Sequence, residues 1–433
     1  MSVLVIGEER PKRFRRNIMK KILASILAIA SILGMTACSH NAATEHEESV
    51  IVLERKTFSP IEMTSDNVLN SVRVFDTMCE DKTQAMFSPL SLNMCLGMLE
   101  AGAAGSTKTA LDNYLGDGDY AKSAAEYLEH AKDFNFKSEG SSKYKNVFEL
   151  ANSFWASKNL KFNKDYIDKV SDSFGAEIDN LDFSKPEKAV GTINDWVNEK
   201  THKMIPRLLS PENVSVDTAA VLVNTVYFES AWTSDWSVYD EKQEFTLADG
   251  TKKEVELMHS GGGSYFENDS ATAFSKGYKN GMKFIGILPK KTGEFTLESL
   301  DIPSLLKTET HDYDVFARMP RLNFESSFPL TDALKAAGLS DIFDEVKADF
   351  TPMQGSADEK FYVSEVIQKT KLELDENGTK AAAATAATIT NCAAPQQPEE
   401  REKKYVYLDR PFAFLIYDSA ADRIVFMGKV TDV

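Results

Sequence analysis

Two hydrophobic rhythms divide the chain from residue 65 onward. Val68, Leu69, Val72, Phe75 and Met78 recur three and four positions apart behind Thr64 or Ser65, which predicts a capped helix. A second predicted helix opens in Phe87-Ser-Pro-Leu-Ser-Leu92, with Pro89 at its first position, and runs through Cys95, Leu96 and Leu99 to Gly102. A third starts near Thr107 and carries Leu111, Tyr114 and Leu115; Pro186 opens a fourth with Val190, Ile193, Trp196 and Val197. The other rhythm is continuous. Ala219 to Phe228 is apolar almost throughout and rich in β-branched residues, which predicts a strand covered on both faces. Met282 to Leu288 reads the same way, and Phe412–Tyr417 with Ile424–Val430 predicts a hairpin. One more helix is expected between Leu330 and Leu339. Helices come mainly first and strands later, with no repeat period and no break in composition. The expected class is α+β in a single domain.

Two stretches fall outside this pattern. Near the C-terminus, Glu376-Asn-Gly378-Thr379-Lys380 leads into a run of alanines and threonines that reaches Cys392-Ala-Ala394. Such side chains bury too little apolar area to build a core, so an exposed and mobile functional segment is expected. At the N-terminus, Lys20-Lys21 precede the apolar run Ile22–Leu33 and then Gly-Met-Thr-Ala-Cys38. That run is short for a bilayer span and fits a signal-peptide core. Cys38 after small residues resembles a bacterial lipobox and is the expected lipidation site; a plain secretory signal is the alternative. Residues 1–38 are therefore read as a leader whose natural start is Met19, residues 39–60 as a polar tether, and residues 61–433 as the folded domain.

Charge and candidate chemistry narrow the function. A net charge of −17 offers no phosphate-neutralising surface and excludes nucleic acid as a partner. Cys79, Cys95 and Cys392 are too scattered for a disulfide framework. None of the six histidines sits in a metal-binding motif, and there is no Cys-x-x-Cys pair, nucleophile elbow or phosphate loop. Gly116-Asp-Gly-Asp119 lacks calcium-ligand spacing and reads as a turn. No catalytic group, metal or cofactor is expected.

Inserted into a sheet, the segment from Thr379 would alternate. Thr379, Ala381, Ala383, Thr385 and Ala387 fall on one face, uncharged and small enough to meet a packed core, while Lys380 falls on the other. Gly378 supplies a permissive pivot. An Ala-rich helix or a disordered linker would be the plain alternatives on composition alone.

Several motifs in order resemble the serpin family of protease inhibitors, over about Asn67 to Val433. Phe87–Leu92 is similar to the start of the family's second helix, and Asn194-Asp-Trp196 through Thr201 to its helix across the main sheet. Asn224–Phe228 and Trp232 resemble the central sheet strand and the tryptophan at its upper end, the breach. Met258, Ile287–Lys290, Met319-Pro-Arg321, Arg410-Pro-Phe412 and Phe426–Val430 follow in the family's order.

The resemblance implies helices around three β-sheets, with a reactive-centre loop over about residues 376–409 and a hinge at Glu376, Gly378, Thr379, Ala381, Ala383 and Thr385. It implies a suicide substrate. A serine protease, or a papain-like cysteine protease, attacks the loop, and the cut loop enters the main sheet before the acyl-enzyme hydrolyses. Each inserted residue gains about 1 kcal/mol of net hydrogen bonding, so a dozen release on the order of 10 kcal/mol, comparable to a whole domain's stability. The reactive bond, placed fourteen residues past the hinge glycine, would be Cys392–Ala393, which suits elastase-like or papain-like enzymes. The stretch to Pro411 is longer than the family's, so the bond is also allowed elsewhere within Ile389–Ala394. A cluster that governs sheet opening is implied for Ser88, Ser91 and Asn224, with Gln368 where the family has a histidine. The expected protein is a monomeric inhibitor, lipid-anchored in a bacterial cell envelope or secreted, whose partners are host or microbial proteases. A non-inhibitory serpin acting as a binding or structural protein is the second reading, and an unrelated hydrolase the third.

Overall fold

The structure, a computed structural model, describes residues 1–8, 65–79, 84–116, 119–136, 145–234, 236–239, 241–357, 359–379 and 401–433. Of the helices that precede most of the sheet, Ser65–Cys79, Pro89–Glu100 and Gly105–Leu115 lie where the apolar spacing predicts them. Every residue of Pro89–Glu100, here α1, is buried, and the Ser88 hydroxyl caps it by accepting from the Ser91 amide. A helix hydrophobic all round belongs inside, and α1 is the central element of the larger core.

The main sheet has seven strands: β1 (Ser2–Glu8), β2 (Val147–Ser157), β3 (Glu177–Leu181), β4 (Thr218–Ala231), β5 (Leu322–Pro329), β6 (Phe361–Asp375) and β7 (Gly378–Thr379). Across the sheet the order is β5, β6, a shared lane, β4, β2, β3. The lane holds two short strands end to end, β7 at the top and β1 below, each antiparallel to both β4 and β6. One face of the sheet packs on α1 and the main core. The other is covered by α2 (Pro186–Lys200), whose Val190, Ile193 and Val197 join Val221 and Val223 of β4 in a second, smaller core. Trp155 and Trp196 close that core edge to face, with ring centroids 6.1 Å apart. Burial on both faces explains why β4 reads as an unbroken apolar run.

A six-stranded sheet contains the predicted strand Lys283–Pro289 and the C-terminal hairpin Phe412–Asp418 and Arg423–Val430. A four-stranded sheet includes Asp314–Pro320 and Lys403–Tyr407, paired in parallel. A two-stranded hairpin, Gln243–Thr246 with Lys252–Val255, stands apart from the three larger sheets.

Three of the elements that depart from the sequence reading bear on the main sheet and the loop. Residues Ser2–Glu8, assigned there to the leader, form a central strand of the main sheet. Lys403–Tyr407, assigned to the loop, is a strand. The fifteen-residue β6 has no counterpart in the reading, because its buried face includes Gln368 and Thr370 and so hides the alternation. Among the described residues no helix is long and apolar enough to cross a membrane.

Candidate functional site

The lane between β4 and β6 brings together most of the described residues singled out from sequence. At its top the chain leaves β6 and doubles back. The Asp375 carboxylate accepts from the backbone amides of Asn377 (2.8 Å) and Gly378 (3.2 Å), which holds the turn. Gly378 then pairs with both Asp375 and Ala231, and Thr379 with Leu374 and Ser230. A Cβ on Gly378 would stand 2.4 Å from the Ser230 carbonyl oxygen and 3.0 Å from the Ala231 Cα. Glycine is thus required here by close backbone approach, a stronger constraint than the pivot expected from sequence.

The Thr379 side chain is buried, and its hydroxyl lies 2.5 Å from the Tyr278 hydroxyl. Tyr278 stacks on Trp232, with centroids 4.3 Å apart and planes 14° from parallel. Trp232 is fully buried and is the anchor of this corner. Its indole N–H donates to the Asp375 carbonyl (2.8 Å) and its amide to the Asn377 carbonyl (3.2 Å). The Trp236 amide likewise donates to the Glu376 carbonyl at 3.1 Å. The Glu376 carboxylate accepts from Arg321 Nε at 2.7 Å, and this guanidinium holds its carboxyl below the usual carboxylate range.

Directly beneath Thr379 the two walls enclose a cavity. Val226, Tyr227 and Phe228 line one side, Thr370, Lys371, Leu372 and Glu373 the other, and Met1 closes the bottom. Below Met1 the lane is filled by β1. Its Ser2 stands level with Asn224 on one wall and Gln368 on the other.

Ser2 reorganises the polar cluster. Gln368 donates through Nε2 to the Ser2 hydroxyl (2.8 Å) and to the Ser88 carbonyl (2.9 Å), and its Oε1 accepts from the Ser88 amide (2.7 Å). Ser91 donates to the Ser2 hydroxyl at 3.2 Å, and Ser88 donates to the Val425 carbonyl at 2.8 Å. Asn224 does not join Ser88, Ser91 and Gln368, because Ser2 stands between the two walls. Its side-chain nitrogen donates instead to Asn152 Oδ1 at 2.9 Å, and its Oδ1 is buried with no hydrogen-bond partner. Ser2 and Tyr278 are site residues that sequence reasoning missed; nothing in the local sequence of Ser2 separates it from a leader.

Several candidates lie elsewhere. Ala381, Ala383, Thr385, Cys392, Ala393 and Cys38 are outside the described residues. Within the stretch assigned from sequence to the loop, Arg401 donates to the His311 carbonyl at 3.0 Å and Lys404 lies over the Tyr313 ring. Cys79 and Cys95 are buried, the Cys95 thiol donates to the Ser2 carbonyl at 3.3 Å, and burial pushes its pKa up to about 12. Among the described residues no cluster of His, Cys, Asp and Glu could hold a metal ion.

A family model described as "Serpin (serine protease inhibitor)" matches residues 66–433. The chain belongs to the serpin family. A serpin-like protein of Thermococcus kodakarensis is 30% identical over 376 residues, covering 84% of each chain. Leukocyte elastase inhibitor A of Mus musculus is 29% identical, over 85% of this serpin and 99% of that protein. Among solved structures, the thermophilic serpin tengpin in its native state superimposes with a TM-score of 0.70 at 30% identity, covering 86% of this chain and 95% of tengpin. Tengpin in its latent state gives 0.68 at 27% identity, with 85% and 97% covered. Serpins are in general protease inhibitors rather than catalytic enzymes. In this serpin the lane between β4 and β6 offers strand edges that β7 and β1 pair with.

Proposed function

We propose that this serpin traps a target protease by admitting its cut loop into the lane between β4 and β6. One observation carries the reading: the hinge has already entered, since Gly378 and Thr379 pair with both walls. Continuing that register would set Lys380 between Glu229 and Glu373, where two carboxylates meet its ammonium. Ala381 and Ala383 would face Phe228 and Val226 on the core side. The protease nucleophile adds to the Cys392 carbonyl and expels the Ala393 amine, leaving an ester or thioester. Insertion then carries the bound enzyme away before water completes hydrolysis. A small residue at Cys392 favours elastase-like or papain-like targets, and the mature form is a monomer anchored to a bacterial envelope through lipidated Cys38.

The test is incubation of the whole chain, and of a chain beginning at Cys38, with elastase, trypsin, subtilisin and papain. A denaturation-stable adduct between elastase or papain and the shorter chain is expected, with mass spectrometry placing the cut at Cys392–Ala393. Cleavage of both chains with no adduct would remove the inhibitory reading. A non-inhibitory binding role would then stand, and one feature already favours it for any form that keeps residues 1–8: β1 fills the lower lane.

A further inference from the structure

We infer that β1 is a plug that occupies the loop's own place in the sheet, so that a chain retaining residues 1–8 is cut by proteases without trapping them. This rests on the insertion reading above. Ser2 pairs with Asn224 and Gln368, and Val3 with Val223 and Ile367, antiparallel to both walls. The hinge register, continued down the same walls, brings Thr385 to Asn224 and Gln368 and Ala386 to Val223 and Ile367. The two segments therefore compete for the same positions in the same direction. With β1 seated, the cavity under Thr379 has room only for Lys380 to Ala383, because the Lys369 amide already donates to the Met1 carbonyl at 3.0 Å.

Backbone pairing is the same for either occupant, so side chains decide which one stays. β1 places Leu4 and Ile6 in the main core and Met1, Val3 and Val5 in the core under α2. The loop offers Ala386, Ala387 and Thr388 at the places of Val3, Leu4 and Val5, matches only Ile6 with Ile389, and so buries less apolar surface. Two further contacts belong to the plug: Ser2 completes the hydrogen bonding of Gln368, and Ser364 donates to the Val5 carbonyl at 3.0 Å. A loop that replaces Met1, Val3, Leu4 and Val5 by alanines and a threonine does not expel this strand. Removal of residues 1–8, as cleavage before Cys38 would achieve, opens the lower lane.

The decisive experiment compares the whole chain with its Leu4→Asp/Ile6→Asp variant, which forces two carboxylates into the core unless β1 leaves. Each is melted before and after the loop is nicked with elastase or papain. Nicking should leave the melting temperature of the whole chain unchanged and raise that of the variant by on the order of 10 °C or more. An equal rise in both, or none in the variant, overturns the plug. Hydrogen exchange on the unsubstituted chain gives a second reading that does not depend on the variant folding. Residues 2–8 should stay protected before and after nicking; protection lost on nicking overturns the proposal. Adduct formation, followed in the same samples, reports separately on inhibition. If the melting pattern holds while neither protein traps an enzyme, the plug stands and the inhibitory reading fails.

Discussion

The upper and lower ends of the lane are built from the same two walls, yet they are filled by opposite means. At the top, β7 is two residues of minimal bulk, Gly378 and Thr379, and the neighbours supply the apolar mass through Trp232 and Tyr278. At the bottom, β1 brings its own mass in Leu4, Ile6, Val3 and Val5, all essentially fully buried. Both ends satisfy the edges of β4 and β6 with the same antiparallel ladder. Hydrogen bonding therefore sets where a strand can lie, while side-chain volume sets which strand remains. Under the insertion proposed above, the top is where the loop enters. The bottom holds one that stays.

Substitutions at the two ends should separate these roles. The largest effect is expected for Thr379→Arg, which would bury a guanidinium beside Tyr278. In a chain beginning at Cys38 it should leave loop cleavage intact and abolish adducts; an adduct at the unsubstituted level would disprove the inward placement of position 379. Next, Trp232→Ala should cost about 3–5 kcal/mol, since it removes a fully buried ring and its bond to the Asp375 carbonyl. Denaturant unfolding checks this, and a loss below about 1 kcal/mol would show that the upper end has some other anchor.

The lower end should respond to pH. The Met1 amine is buried, and burial lowers its pKa from 8.0 to about 5, with the nearby Cys95 acting in the opposite sense. Lys369, Lys371 and Glu373 line the same cavity. Between pH 8 and 5 the released strand binds a proton that the seated strand lacks, so seating weakens as pH falls, roughly tenfold per unit. Above pH 8 and below pH 5 the dependence should vanish. Exchange protection of residues 2–8 across this range measures it, and a flat profile would mean that the amine stays hydrated.

The smallest effect is expected for Arg321→Ala. The Arg321–Glu376 pair is partly exposed, so its loss should cost under about 1 kcal/mol. The Glu376 carboxyl, now held low, should return toward its ordinary range. Its contribution is present above that range and fades as pH falls through the depressed value. NMR titration of Glu376 in both proteins would show the difference.

Legibility from sequence followed the same physical divide. The early helices, β4 and the C-terminal hairpin were readable because each keeps one hydrophobic rhythm along its length. The strand β6 was not, because its inward face mixes Val363, Val366 and Leu372 with Gln368 and Thr370, whose partners come from α1's cap, β1 and the strand Gln84–Phe87. At the site, Gly378 and Thr379 stood out as a small pair ahead of an alanine run, whereas the reason for the glycine lies in a carbonyl of Ser230, far away in the chain. The placement of Asn224 was likewise invisible. Its partner Asn152 and its separation from Gln368 both depend on a strand from the far N-terminus.

What the amino-acid order determined by itself was the set of parts: helices, buried strands, a stretch too small-sided to form a core, and an acidic chain with no catalytic or metal-binding motif. These follow from periodicity and composition, which are local properties. Only the folded arrangement decided which segment fills the middle of the main sheet. Val3 to Ile6 is a short apolar run that a leader or a strand could use equally well. It becomes a strand because β4 and β6 present two unpaired edges on either side of it, with an apolar core above and below.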